Sequence, residues 1–183
     1  MKHIKYNRIQ QTEKFLENVK KIAIITHFNP DGDAIGSSLA LYHYLKGKNF
    51  DVSVIIPNNA PQFLHWLPGS NKINVFDDTP DLSKRLINEA ELIFFLDFNV
   101  LDRTQGMEKY LRNLPAKKIL IDHHPEPENF ADVIISSTNV SSTSELLYKF
   151  LTSLTEEFDI NKDIAECLYT GIMTDTGSFS YNS

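Results

Sequence analysis

Five short apolar runs punctuate the chain, at residues 22–25, 52–56, 92–96, 119–121 and 133–135. Within each run the apolar residues are nearly continuous rather than alternating. Strands of a parallel sheet read this way when both of their faces are covered. The stretches between them have helical spacing. Residues 34–46 are apolar around much of their circumference, and 80–90 form a weaker helical pattern. Residues 142–154 open on Ser142-Thr143-Ser144-Glu145, the order of a capping box. Leu146, Leu147, Phe150, Leu151 and Leu154 then line one helical face, and Ile164, Leu168 and Ile172 recur at intervals of four in 163–173. Strand and helix in alternation predict an α/β fold: a mainly parallel, doubly wound five-stranded sheet with helices on both faces. No repeat interrupts the pattern. The proline-rich stretches 57–61 and 125–128 read as loops rather than linkers.

Open α/β sheets bind ligands beyond the carboxyl ends of their strands. The first run leads into Thr26-His27-Phe28-Asn29-Pro30-Asp31-Gly32-Asp33, the third into Asp97, and the fourth into Asp122-His123-His124. Asp175 follows the last helical stretch, in Thr174-Asp175-Thr176-Gly177. The candidates are therefore His27, His123, His124, Asp31, Asp33, Asp97, Asp122 and Asp175. So many carboxylates at one edge repel one another and raise their pKa values. Divalent cations relieve that repulsion. Mixed Asp and His ligands without Cys favour Mn²⁺ or a similar cation over Mg²⁺ or a structural zinc. Two ions sharing a carboxylate fit the number of groups. Two metals about 3.5–4 Å apart are a recognised device for phosphoester hydrolysis.

Composition narrows the class. The chain has 183 residues, enough for about one domain, and a net charge of −6, which excludes a dominant basic face for duplex DNA. Metals would let so acidic a protein take an anionic substrate. The lone Cys167 excludes an internal disulfide and a thiolate zinc site. Neither a signal core nor an apolar run of membrane-spanning length occurs, so the expectation is a reduced, cytoplasmic protein without membrane contact.

Residues 27–37 resemble the first motif of the DHH phosphoesterases. Asp97 lies where that family has its second-motif aspartate, Asp122-His123-His124 is similar to its signature, and residues 174–179 resemble its fourth motif. The closest likeness is to the nano-RNase and phosphoadenosine-phosphate phosphatase branch. The resemblance implies that His27 and Asp31 bind one metal, that Asp33, His123 and Asp175 bind another, and that Asp97 bridges them. It implies that His124 faces the substrate phosphate and that Asp122 orients a histidine. Gly32 and Gly36 would let backbone approach the site. Two Mn²⁺ per chain are expected, with other divalent cations also suitable. The expected partner is a short single-stranded nucleic acid or small nucleotide, and a homodimer is compatible with the reading. This branch carries a C-terminal substrate-binding domain, and residues 1–183 are expected to be the catalytic domain without it. Rival substrates are pyrophosphate, polyphosphate or a cyclic dinucleotide. A catalytically idle binding domain is the rival of another class, and the intact ligand set speaks against it. Arg103 reads as a surface or structural pair rather than a phosphate contact. Ser142 and Thr143 read as a helix cap, Cys167 as a buried thiol, and Trp66 as packing.

Overall fold

All five apolar runs form strands in the computed structural model, which describes residues 4–155 and 159–181. In chain order the strands are β1 (Lys21–Ile25), β2 (Asp51–Ile56), β3 (Asn74–Val75), β4 (Leu92–Leu96), β5 (Lys117–Asp122) and β6 (Val133–Ser136). They pair in the order β3-β2-β1-β4-β5-β6, and every pairing is parallel. The sheet thus has six strands where five were expected. The extra one, β3, is a two-residue edge beside Ile55 and Ile56, half-buried and too short to leave an apolar run.

Helices cover both faces: α1 (Tyr6–Leu16), α2 (Gly32–Gly47), α3 (Pro80–Glu89), α4 (Glu108–Arg112), α5 (Thr143–Leu154) and α6 (Lys162–Asp175), with a 3₁₀ segment at Leu101–Met107. The strands are buried on both sides, so alternate residues enter two cores. Ile22, Ile24, Val54, Phe94 and Ile121 face α1, α2, α5 and α6. Ala23, Ile25, Ile93, Phe95 and Leu120 face α3, the 3₁₀ segment and α4. Helix α1 lies outside the sequence expectation. It is mostly polar, buries Ile9 and Thr12, and packs Phe15 and Leu16 against the core. No helix among the described residues is long and apolar enough to cross a membrane.

One consequence of this topology positions the chemistry. Strands β1, β4 and β5 are neighbours and parallel, so the residues just past their carboxyl ends gather on one edge. Helices α2 and α6 close over the same edge because glycines allow it. A Cβ on Gly36 would lie 2.5 Å from the Cys167 carbonyl oxygen, and one on Gly171 would lie 2.0 Å from Ser144 Oγ. The glycines expected to bring backbone to the site therefore bring helix to helix: Gly32 makes the same close approach, to Thr174. Cys167 is buried as expected, and burial pushes its thiol up to about 12. Trp66 is 61% exposed, so the packing role expected for it is not met. It sits between short 3₁₀ turns, where no neighbouring element covers it.

Candidate metal centre

The chain leaves β1 at Ile25 and reaches His27, whose side chain is buried. Its Nδ1 bonds the Phe28 carbonyl oxygen at 2.9 Å, which assigns the ring proton to Nδ1 and leaves Nε2 with a free lone pair. Burial lowers the His27 pKa, favouring this neutral form. Its Nε2 is buried and has no hydrogen-bond partner among the described residues. It points at Asp97 Oδ2, 3.5 Å away. An orphaned imidazole lone pair beside a buried carboxylate suits a cation between them.

Asp97 follows β4 directly and is 2% exposed. Its backbone is left-handed, with φ 68°, a conformation that costs about 1–3 kcal/mol and is found at functional sites. Burial raises its pKa well above the ordinary carboxylate range, with Asp33 and Asp31 adding to the rise. Its two oxygens face different ways. Oδ2 faces His27, and Oδ1 lies 3.7 Å from His123 Nε2 while accepting from Thr143 Oγ1 at 2.9 Å.

Asp31 and Asp33 are two residues apart and have different environments. Asp31 caps α2, one oxygen accepting from the amides of Asp33 and Ala34 at 3.0 Å, while the residue is exposed. Asp33 is 1% exposed. Its oxygens accept from the first amides of α5, Thr143 N at 2.6 Å and Ser144 N at 2.9 Å. Burial pushes its carboxyl up to about 6, against the pull of those amides. Asp175, at the end of α6, places Oδ2 3.4 Å from His123 Nε2, and burial raises its carboxyl too.

These side chains form sets whose ligand atoms lie within 4.8 Å of one another: His27, Asp31 and Asp97; Asp33, His123 and Asp175; and Asp97, His123 and His124. The donors are imidazole and carboxylate, the set that Mn²⁺-like cations accept. His124 differs from its neighbour. Asp122, fully buried at the end of β5, accepts from His124 Nδ1 at 2.7 Å and from its backbone amide at 3.1 Å. Its Nε2 meets Arg103 Nη1 at 3.2 Å. Beside Asp175 a cleft of about 560 Å³ opens, bordered by Asn139, Ser141 and Tyr181.

All eight candidates fall at this edge. Ser142 caps α5 as expected, its Oγ accepting from Glu145 N at 3.0 Å. Glu145 reaches back to Ser141 rather than to Ser142, a variant of the capping box. The functional weight of Thr143 and Ser144 was missed. Their amides and the Thr143 hydroxyl hold the two buried aspartates. A signal existed: the first amides of a helix need acceptors, and the unplaced carboxylates were candidates.

A model of the DHH family, N-terminal domain, matches residues 21–172. The crystal structure of an exopolyphosphatase-related protein from Bacteroides fragilis superposes with a TM-score of 0.97 at 46% identity, over 100% of this chain and 54% of that one. The bifunctional oligoribonuclease and PAP phosphatase NrnA of Thermus thermophilus is 32% identical over 87% of this chain and 44% of its own length. RecJ of Thermus thermophilus, in complex with Mn²⁺, shares the fold, with a TM-score of 0.60 at 15% identity, over 94% of this chain and 24% of that one. The chain spans about half the length of the curated relatives it matches.

Proposed function

Because the chain belongs to the DHH family, we propose that it hydrolyses phosphoester bonds in short oligonucleotides or small nucleotides with two divalent cations, Mn²⁺ foremost. The observation that carries this reading is the divided carboxylate of Asp97, one oxygen toward His27 and the other toward His123. His27, Asp31 and Asp97 would hold one cation. Asp33, His123 and Asp175 would hold the other, with Asp97 shared. The Mn²⁺ in the RecJ relative supports the choice of ion. When bound, the cations lower the pKa of a water and offset the charge building on the phosphate oxygens.

The chain's own residues do the rest. Thr143 and Ser144 fix the two buried carboxylates in place. Asp122 sets the His124 ring so that Nε2 faces the substrate phosphate. The cleft of about 560 Å³ beside Asp175 has room for a nucleotide. Residues 1–183 are the catalytic domain in this reading, in keeping with the family match over 21–172.

The NrnA relative supports the nucleotide substrate. A second reading, polyphosphate hydrolysis by the same centre, is favoured by the name of the Bacteroides fragilis protein. Hydrolysis by the full natural protein with Mn²⁺ separates them, using a short oligoribonucleotide, phosphoadenosine phosphate and polyphosphate. Release of mononucleotides or of phosphate from the first two is expected. Turnover of polyphosphate alone favours the second reading. Bound metal with no turnover of any substrate overturns both.

A further inference from the structure

Two arginines lie in the segment after β4, and their partners differ. Arg112, on α4, bonds Glu128 at 2.5 Å and Glu108 at 2.9 Å. Arg103, in the 3₁₀ segment, has no carboxylate partner among the described residues. Its guanidinium meets only His124 Nε2, at 3.2 Å. The surface or structural pair expected for Arg103 is thus this contact with His124, and no ion pair forms there among the described residues.

Its position is fixed by backbone. Arg103 N donates to the Val100 carbonyl at 3.1 Å, and its own carbonyl accepts from Phe28 N at 2.7 Å, tying it to the loop that carries His27 and Asp31. The side chain is half-buried, and its charge also bears on His27. A guanidinium stays protonated at any pH a folded protein meets. Here it stands at the rim of a centre built from cation ligands, where bound cations would repel it. A half-buried charge with no carboxylate in direct contact is costly. The arrangement becomes favourable when an anion sits between the arginine and the cations. His124, held at Nδ1 by Asp122, orients the guanidinium through Nε2 and brings no carboxylate into contact with it.

We propose that Arg103 binds a non-bridging oxygen of the substrate phosphoryl group, as the one arginine aimed at the centre among the described residues. This rests on the phosphoesterase reading and adds to it a contact that discriminates a phosphoryl group from a carboxylic ester or an amide. A guanidinium offers parallel N–H donors to phosphate oxygens, and four of its five N–H groups remain for them once one is used on His124.

The test uses the full natural protein loaded with Mn²⁺ and titrated calorimetrically with inorganic phosphate. Arg103→Gln keeps the wild-type Mn²⁺ content, weakens phosphate binding at least about tenfold and raises KM for bis-p-nitrophenyl phosphate. Arg103→Lys lies between, since a point charge replaces the fork. Arg112→Gln leaves phosphate affinity unchanged. Wild-type phosphate affinity in Arg103→Gln at full Mn²⁺ content overturns the proposal. If that variant fails to fold, phenylglyoxal modification of the wild-type protein decides. Phosphate should slow modification at Arg103, and an unchanged rate there overturns the proposal. Failure of the Mn²⁺-loaded wild type to bind phosphate would instead sink the phosphoesterase reading beneath it.

Discussion

The two faces of the sheet are covered in different ways. On one, α2 and α6 touch backbone to backbone through Gly36 and Gly171, and α5 points its first amides into the same contact. On the other, Ile87, Leu101, Met107 and Leu111 meet the strands through side chains alone. The first face supplies Asp31, Asp33, Asp175, Thr143 and Ser144 to the centre, and the second supplies Arg103. The difference follows from what a cluster of buried carboxylates requires. Such groups are destabilising unless donors are fixed around them, and only a close helix approach brings amides to within 2.6–2.9 Å of Asp33. The apolar side chains of the far face tolerate volume-conserving exchange, because Arg103 is held there by backbone bonds to Val100 and Phe28 rather than by their packing.

Chemistry and stability should therefore separate on substitution. His124→Ala touches neither core. It should keep metal content while lowering turnover about 10²–10⁴-fold, with a loss of stability confined to the donor that buried Asp122 gives up. Normal turnover, or an emptied metal site, would contradict the role given to His124. Leu111→Ala, on the far face, should do the reverse. It should lose about 2–5 kcal/mol of unfolding free energy in denaturant and keep its Mn²⁺ stoichiometry. Loss of metal there would break the division between the faces.

Gly171→Ala should cost both. Its Cβ would lie 2.8 Å from Asp33 Oδ1 as well as against Ser144, so α5 and α6 must part. Overpacking of this kind costs about 1–3 kcal/mol, and binding of the cation at Asp33 should weaken with it. Unchanged metal affinity would show that the contact is packing only.

The smallest effect expected is on pH dependence. Asp33 is pushed up to about 6 and Asp97 is raised as well, so the metal-free native state binds protons that the unfolded chain releases near pH 4. Metal-free stability from these groups is fullest below pH 4 and falls as pH rises through about 6. Saturating Mn²⁺ offsets the exposed repulsion, so the rise in melting temperature on adding it should be larger at pH 7.5 than at pH 5. An equal rise at both would remove the carboxylates from the account.

Five of the six strands and seven of the eight candidate residues were legible in sequence as a local pattern, an apolar run followed by Asp or His, while Asp175 was placed by the end of a helical stretch. What was not legible is what distant segments do to one another. Nothing local separates Asp31 from Asp33, yet α5, some 110 residues further on, buries the second and leaves the first in solvent. The same holds for Arg103, whose neighbours Asp102 and Glu108 suggest a surface pair until Arg112 takes Glu108 and Glu128. The two residues of β3 are too few to carry a period of any kind.

Sharing of Asp97 between two cations is read from metal content. Wild-type protein prepared with Mn²⁺ should hold about two ions per chain. Asp97→Asn removes a buried charge that α5 already supports through Thr143, so it should fold and lose both ions. Asp175→Asn, which touches only the His123 side, should lose one. Elemental analysis finding wild-type metal content in folded Asp97→Asn would contradict the shared carboxylate.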